Sequence, residues 1–355
     1  MKPLEKNYKR IVIKIGSSLF LRDKDLDMLR LFDIVSNISR LIKMEKKEVI
    51  IVSSGAIALG MDLLKLKNRP KELPFLQAAA AIGQNVLMDN YSKYFKKYGI
   101  TCSQILLTWD DFDNRQRYLN AKNTLATLLK LGAIPVINEN DTISTEEIKF
   151  GDNDRLSALV ATLINAGLLI MLSDVEGLLD RNKKIIKIVD EITPQIYQLA
   201  CPTNNKICVG GMVTKIDAAK IAVDSGIPCV IANGLRRDIL SSVLNRPEEN
   251  GTLFIPKRGY LAARKRWIAF GTKPKGSIRV DDGAKKALLN KKSLLSVGVA
   301  ELDGNFEVGD IVSVIDMQNC EFARGRAGIS SKQIDKIKGQ RYDKEVIHRN
   351  NIVIL

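Results

Sequence analysis

The sequence predicts an α/β protein in which helices cover both faces of a mainly parallel sheet, with a small β-rich domain behind it. Three observations carry this. From Arg10 to Asn233, apolar runs of strand length alternate with longer segments of helical spacing. The runs are apolar on both faces, as buried parallel strands must be. After about Gly251 the texture changes to short strand-like pieces separated by turns.

The elements follow in order. RIVIKIG (10–16) is a strand entering a glycine turn. Leu26 to Lys46 has helical spacing, with Leu29, Phe32, Val35, Ile38 and Ile42 on one face. EVIIVSSGA (48–56) is a second strand ending in a Ser/Gly turn, and Pro74 to Tyr98 is a long helix. ITCSQILLT (100–108) and AIPVIN (133–138) are strands three and four, with a helix over Tyr118 to Leu131 between them. Asp154 to Asn165 is helical, LLIMLSD (168–174) is a fifth strand, Met212 to Ser225 a helix and IPCVIAN (227–233) a sixth strand. KRGYLAARKRW (257–267) is basic and contains glycine, as linkers do. From Gly276 onward SIRVDDG, SLLSVGVAELDGNF, VGDIVSVID, EFARGRAGIS and EVIHRNNIVIL read as strands of the second domain. The expected division is 1–256, a linker over 257–275, and 276–355.

Composition narrows the chemistry. Hydrophobic residues make up 45% of the 355, enough for a sizeable core. The opening MKPLEKNYKR is polar and Lys14 cuts the first apolar run, so no signal peptide is expected, nor any membrane-spanning helix. The five cysteines are scattered without metal-ligand spacing, consistent with reduced thiols in the cytoplasm. His348 is the only histidine, which argues against a Ser-His-Asp triad, a histidine zinc site and histidine base catalysis. The net charge is +15, and residues 256–355 hold 20 Lys+Arg against 11 Asp+Glu. That surface would suit anionic ligands or nucleic acid, or would simply be solvated.

In an open parallel sheet, ligands bind beyond the carboxyl ends of the strands. Four polar clusters lie there: Gly16-Ser17-Ser18, Ser53-Ser54-Gly55, Asn138-Glu139-Asn140-Asp141 and Ser173-Asp174. No GxxxxGK[ST] loop occurs, and no GxGxxG follows a strand. Two glycine turns nevertheless carry a lysine: IVIKIGSS places Lys14 at a strand end, and GGMVTK places Lys215 on the first turn of a helix. A helix N-terminus with a lysine receives phosphate readily, so the pair points to a polyphosphate.

Asn138 to Asp154 gathers six carboxylates and three asparagines between two apolar runs. Kinases acting on an alcohol need a proton acceptor, whereas a carboxylate nucleophile is already ionised at pH 7. Phosphoryl transfer to it reduces to positioning and charge neutralisation, which suits a chain with one histidine. Asp141 and Asp154 would then bind an ammonium, and Asn138 and Asn153 a carboxylate and an amine. Some of these carboxylates would reach Mg²⁺, which keeps waters and phosphates as further ligands. An amino acid with a second carboxylate fits such a pocket.

At these residues the chain resembles the glutamate 5-kinase family of the amino acid kinase fold. IVIKIGSS, IVSSGAIALG, QAAAAIGQ, RYLNAKNTL, PVINENDTIS, EIKFGDNDRLSALVA, LSDVEGL, GGMVTK and GTLFIP match its blocks in order. GSIRVDDGAKKALL and SLLSVGVAELDGNFEVGDIVSV are similar to a PUA domain, a small β module. The resemblance implies a three-layer αβα kinase domain and the reaction ATP + L-glutamate → ADP + L-glutamyl 5-phosphate with Mg²⁺, the first step of proline biosynthesis.

Carried over by motif, Lys14 and Lys215 would contact the phosphates, and Asp154 would be a third catalytic group. Gly16, Ser173, Asp174, Val209, Gly210, Gly211, Met212, Val213 and Thr214 would face ATP. Ser54, Asp141, Asn153, Asn138 and Asp152 would hold glutamate, Asp152 and Asp154 supporting it or the metal. Gly16 and Gly55 would let the backbone approach the ligands. The resemblance also implies a dimer or tetramer, proline as feedback inhibitor seated on 139–150, and hand-over of product to glutamyl 5-phosphate reductase. RNA binding by the PUA domain stays open.

The chain departs from the family pattern at Val209, where Thr is common, and at Ile15-Gly16-Ser17, where Leu-Gly-Thr is common. The segment after Ile329 is shorter. Two other readings compete: a kinase of the same fold acting on aspartate or acetylglutamate, and an RNA-binding protein with a vestigial kinase. The carboxylate-rich pocket argues against acetylglutamate, which lacks the ammonium.

Overall fold

A computed structural model describes residues 8–22, 25–143, 152–200, 211–256 and 263–355. The chain separates into two compact units, 1–111 with 115–260, and 112–114 with 261–355.

The first unit is built on an eight-stranded sheet. Its strands are β1 (Arg10–Ile15), β2 (Glu48–Ser53), β3 (Cys102–Leu107), β4 (Ile134–Glu139), β5 (Leu168–Ser173), β6 (Ile188–Val189), β7 (Cys229–Asn233) and β8 (Thr252–Phe254). Their order across the sheet is β3-β4-β2-β1-β5-β7-β8-β6. Each pair runs parallel except β7–β8. The strands β1, β2, β4, β5 and β7 are nearly buried throughout.

Alternation along the strands sorts side chains to two faces. Ile11, Ile13, Ile15, Val49, Ile51, Leu168, Ile170 and Leu172 share one core with helices α1 (Met28–Glu45) and α3 (Leu73–Lys96) and with Ile239–Asn245. Lys14 has the opposite parity and faces the other layer. There α5 (Asp152–Leu163) packs on β1, β2, β4 and β5, and α6 (Gly211–Asp224) packs on α5 and β7. Two helices between these, α2 (Ala56–Leu63) and α4 (Arg115–Lys130), complete the set used below. The expected helix-covered parallel sheet is what forms, as three layers.

Three of the elements that differ from the sequence reading bear on the sheet. The run read as ending in a Ser/Gly turn continues into α2, because Gly55 takes φ +111° and caps a helix there. Its apolar residues follow the strand without a break, so periodicity hides the change. β6 and β8 are two and three residues long, below the length at which alternation is visible. β8 is also the antiparallel member, and parallel alternation gave no sign of it.

Helices α2 and α3 pack with their backbones in near contact. A Cβ on Gly60 would lie 1.8 Å from the Ala79 carbonyl oxygen, and one on Gly83 1.8 Å from that of Ala56. The small residues of QAAAAIG permit this approach, and it anchors α3 over the end of β2.

The second unit carries a five-stranded sheet of β9 (Ser277–Val280), β10 (Val299–Asp303), β11 (Ile311–Ile315), β12 (Glu321–Arg326) and β13 (Ile352–Ile354). The order is β10-β9-β11-β12-β13, antiparallel except for β9–β11. Ile278, Val280, Phe306, Val312, Val314 and Ile347 form its core with Leu288 of α7 (Asp282–Leu289) and Ile334 of α8 (Ser331–Ile337). Sequence reading gave neither helix. Trp267–Gly271, inside the stretch read as linker, forms a π-helical turn that buries Ile268 and Ala269 with Ile311 and Val353.

The packing yields a first test. Gly83→Ala drives a methyl into the α2 backbone and is expected to cost about 3 kcal/mol or more. Urea unfolding measures it, and a change below about 1 kcal/mol would mean that the helices separate freely.

Candidate active site

The carboxyl ends of the central strands place the polar clusters in a line. Along β4, β2, β1 and β5 come Asn138, Ser54, Lys14 and Ser173, in the order of the strands themselves. At about 4.8 Å per strand the line spans roughly 14 Å. Two helix N-termini reach it from one layer, those of α5 and α6.

At its centre lies a buried charge triad. Asp154 is 1% exposed, Lys14 5% and Lys215 7%. Lys14 Nζ lies 2.6 Å from Asp154 Oδ1 and Lys215 Nζ 3.2 Å from Asp154 Oδ2. Thr214 Oγ1 donates to Asp154 Oδ2 at 2.8 Å, and Lys215 Nζ donates to the Gly211 carbonyl at 2.9 Å. The two ammoniums therefore converge on one carboxylate. Both Asp154 oxygens are taken by lysines, so the residue serves the lysine centre. The reading of Asp154 as a ligand to a substrate ammonium is corrected on that ground.

The triad perturbs its members. Burial pushes the Lys14 ammonium below the ordinary 10.5; Asp154 opposes this and Lys215 reinforces it. Burial alone would raise the Asp154 carboxyl, but the charges of Lys14 and Lys215 outweigh it, with hydrogen bonds from Lys14 and Thr214. The carboxyl is held below 3.8. With both ammoniums charged, two positive charges face one carboxylate, and the excess suits an anion.

On the β5 side, Ser173 Oγ and Ser18 Oγ both donate to Asp174 Oδ1 at 3.0 Å. Burial would raise the Asp174 carboxyl, yet bonds from Ser173, its own backbone amide and Ser18 hold it below 3.8. The Gly16 amide donates to the Leu172 carbonyl at 3.1 Å, and a Cβ there would sit 3.2 Å from that oxygen and 3.7 Å from Lys14 Nζ. Gly211, Met212, Val213 and Thr214 form the first turn of α6. Val209 and Gly210 lie outside the described residues.

On the β4 side a chain of amides forms. The Glu139 backbone amide donates to Asn138 Oδ1 at 2.9 Å, and Asn153 Nδ2 donates to the same oxygen at 2.9 Å. Asn138 Nδ2 donates to Gln84 Oε1 at 2.8 Å, and Asn153 Nδ2 reaches Ser54 Oγ at 3.0 Å. Behind them Tyr91 Oη donates to Ser53 Oγ at 2.9 Å. Gly55 turns the chain after Ser54, and a Cβ there would lie 2.6 Å from the Phe20 ring. Asp141 is half-buried in the turn after β4. Asp152 opens α5, but its side chain, like residues 144–151 of the loop expected to seat proline, lies outside the described residues. Gln84 is the participant that sequence reasoning missed. It closes the alanine-rich helical block QAAAAIGQ between Gly83, which permits close packing, and Asn85, and nothing local sets it apart from other helix glutamines.

Comparison with known proteins identifies the family and the fold. The model of the amino acid kinase family matches residues 9–233, and that of the PUA domain residues 276–348. The chain belongs to the amino acid kinase family. It is 45% identical to the glutamate 5-kinase of Caldanaerobacter subterraneus subsp. tengcongensis, over 98% of each chain. Identity to the glutamate 5-kinase of Pelagibacter ubique is 46%, over 98% of this chain and 99% of that one. Among solved structures, a carbamate kinase from Giardia lamblia bound to AMP-PNP superposes with a TM-score of 0.52 at 15% identity. The match covers 71% of this chain and all of that one, and shows the shared fold.

Two outcomes test the triad. Asp154→Asn leaves two buried ammoniums without a counter-charge and is expected to cost about 3–5 kcal/mol of stability; a loss under about 1 kcal/mol would refute the electrostatic account. Lys14 should impose an alkaline limb on kcat below 10.5, because the amine loses its charge as pH rises through the lowered value. In Asp154→Asn that limb should move to still lower pH, since the group raising the Lys14 pKa is gone. A limb unmoved or moved upward would contradict the assignment.

Proposed function

We propose that this chain transfers the γ-phosphoryl group of ATP to the side-chain carboxylate of L-glutamate, giving L-glutamyl 5-phosphate, the first step of proline biosynthesis. The observation that carries the reading is the order of the sheet edge: an amide cluster, then two lysines on one carboxylate, then a Ser-Asp turn. An acceptor amino acid, a transferring phosphoryl group and a nucleotide laid end to end need that order. The full-length relatives named glutamate 5-kinase support the same substrate.

In the reaction, a glutamate carboxylate oxygen forms a bond to γ-phosphorus while the bond to the β-bridging oxygen breaks, and ADP leaves with that electron pair. The carboxylate is ionised at pH 7, so no base is required, and the scarcity of histidine is no obstacle. Lys14 and Lys215 supply fixed positive charge where the equatorial oxygens of the transferring group gather negative charge. Asp154 sets their separation. Asn153, Ser54, Asn138 and Asp141 hold the amino acid, the last through its charge on the ammonium. Ser173, Asp174 and the first turn of α6 hold the nucleotide, joined by Val209 and Gly210.

Among the described residues, no three Asp, Glu, Cys or His side chains cluster as a metal cage. Mg²⁺ arriving with ATP does not need one, because phosphate oxygens and waters fill most of its shell. The ionised, exposed Asp174 is the fitting protein ligand, since Asp154 is taken by lysines. Bound there, the ion would neutralise phosphate charge.

The same reading places the chain in the cytoplasm as a dimer or tetramer, with proline as inhibitor and a glutamyl 5-phosphate reductase consuming the product. No described helix is long and apolar enough to cross a membrane.

Hydroxamate formation tests the reaction: protein, ATP, Mg²⁺ and hydroxylamine with L-glutamate, L-aspartate or N-acetyl-L-glutamate. Signal with glutamate alone is expected, and signal with another acid instead would move the specificity. Lys14→Ala and Lys215→Ala should each lower kcat by roughly 100-fold or more with little change in glutamate KM, since their charge acts in the transition state. Asp141→Ala should mainly raise the glutamate KM. Equal KM effects at all three positions would overturn these roles.

A further inference from the structure

The amide chain has a direction, and one backbone group sets it. The Glu139 N–H can only donate, so the atom of Asn138 facing it is Oδ1. Asn138 must therefore present Nδ2 to Gln84, and Gln84 must answer with Oε1. Asn153 gives its Nδ2 to Asn138 Oδ1 and Ser54 Oγ, which turns its own oxygen away. Among the described residues, two buried atoms of this amide chain have no hydrogen-bond partner: Gln84 Nε2, a donor, and Asn153 Oδ1, an acceptor. Leaving both unsatisfied costs free energy, on the order of 1–3 kcal/mol per group. A zwitterion supplies the complement of both, a carboxylate to accept and an ammonium to donate.

The position agrees. β4 lies two strands from β1, so the Asn138–Gln84 end is roughly 10 Å from the lysine centre along the sheet edge. A glutamate whose side-chain carboxylate meets Lys14 would extend its α-carbon toward that end.

We propose that Gln84 is a further substrate-binding residue that determines specificity. Its Nε2 donates to the α-carboxylate of the acceptor amino acid while Asn153 Oδ1 accepts from the ammonium. This rests on the assignment of Asn138, Asn153 and Ser54 to the acceptor end. Gln84 thereby makes the site select a charged α-carboxylate through a neutral donor whose orientation is fixed by the Glu139 amide three side chains' contacts away from Ser54.

The test is a specificity exchange. Gln84→Glu keeps the oxygen that accepts from Asn138 and replaces the free donor by an acceptor. The two substrates are L-glutamate and its α-carboxamide analogue, whose side-chain carboxylate is intact. Wild type should prefer glutamate. Q84E should raise the glutamate KM by at least about tenfold with kcat and the ATP KM little changed, and its kcat/KM ratio should shift toward the α-carboxamide, which can donate to the new carboxylate. Equal losses for both substrates, or no loss for either, would overturn the proposal and leave Gln84 a structural residue. If Q84E does not fold, Gln84→Met removes the donor without adding charge. It should weaken glutamate more than the α-carboxamide, and equal weakening would again overturn the proposal. Asn153→Ala, measured alongside, separates the two levels. A raised glutamate KM there with an unshifted ratio in Q84E rejects Gln84 alone, whereas an unchanged KM rejects the acceptor-end assignment and the inference with it.

Discussion

Two lysine ammoniums sharing one buried carboxylate is the arrangement on which the active site depends. Burying either ammonium there alone would be costly, because it leaves water and two like charges repel. Asp154 compensates both at once, and Thr214 adds a hydrogen bond to the same carboxylate. The requirement reaches into the fold. Lys14 must sit at the end of a central strand with parity opposite to Ile13 and Ile15, α5 must cross that face, and α6 must present its first turn beside it. A helix nearly buried all round, as α5 is, can be placed there only if the sheet and α6 enclose it. The catalytic charge and the packing of that layer are the same set of contacts.

Parallel strands then give the site its scale. Each strand end is one fixed step from the next, so in the proposed reaction the sheet edge would separate an amino acid, a phosphoryl group and a nucleotide by geometry alone. Chemistry divides along it accordingly: neutral amides at one end, positive charge in the middle, and hydroxyls with an ionised aspartate at the other. The amide end has a fixed hydrogen-bond direction, since the Glu139 amide requires an oxygen of Asn138 and so sets the atoms that Asn138, Gln84 and Asn153 present to one another. Gly60 and Gly83 serve this end from outside the site, by letting α3 come near enough for Gln84 to meet Asn138.

The second unit is independent in its core. Phe306, Ile347 and their neighbours bury against one small sheet, with the π-helical turn at Trp267–Gly271 extending the packing toward its chain entry. Its match to the PUA domain identifies the module. Its surplus of Lys and Arg marks a surface suited to anions, and the kinase chemistry derived above uses none of its residues.

The sequence by itself determined the alternation of strands and helices, because both-face apolar runs and helical periodicity are local properties of the chain. It also determined the candidates Lys14, Lys215, Asn138, Asn153 and Ser54, because glycine turns and polar clusters at strand ends mark ligand-binding edges wherever they lie. Tertiary structure decided what distance in the chain conceals. Asp154 and Asp141 read alike in the sequence as partners for an ammonium, but only the crossing of α5 over β1 brings Asp154 between Lys14 and Lys215. Gln84 lies 54 residues from Asn138 in an alanine-rich helix, and although it closes the block QAAAAIGQ, nothing local shows that it meets Asn138. Strands β6 and β8 are too short to show a period, and the antiparallel pairing of β8 is a long-range event. Local pattern specifies which residues are available, and the sheet decides which of them meet.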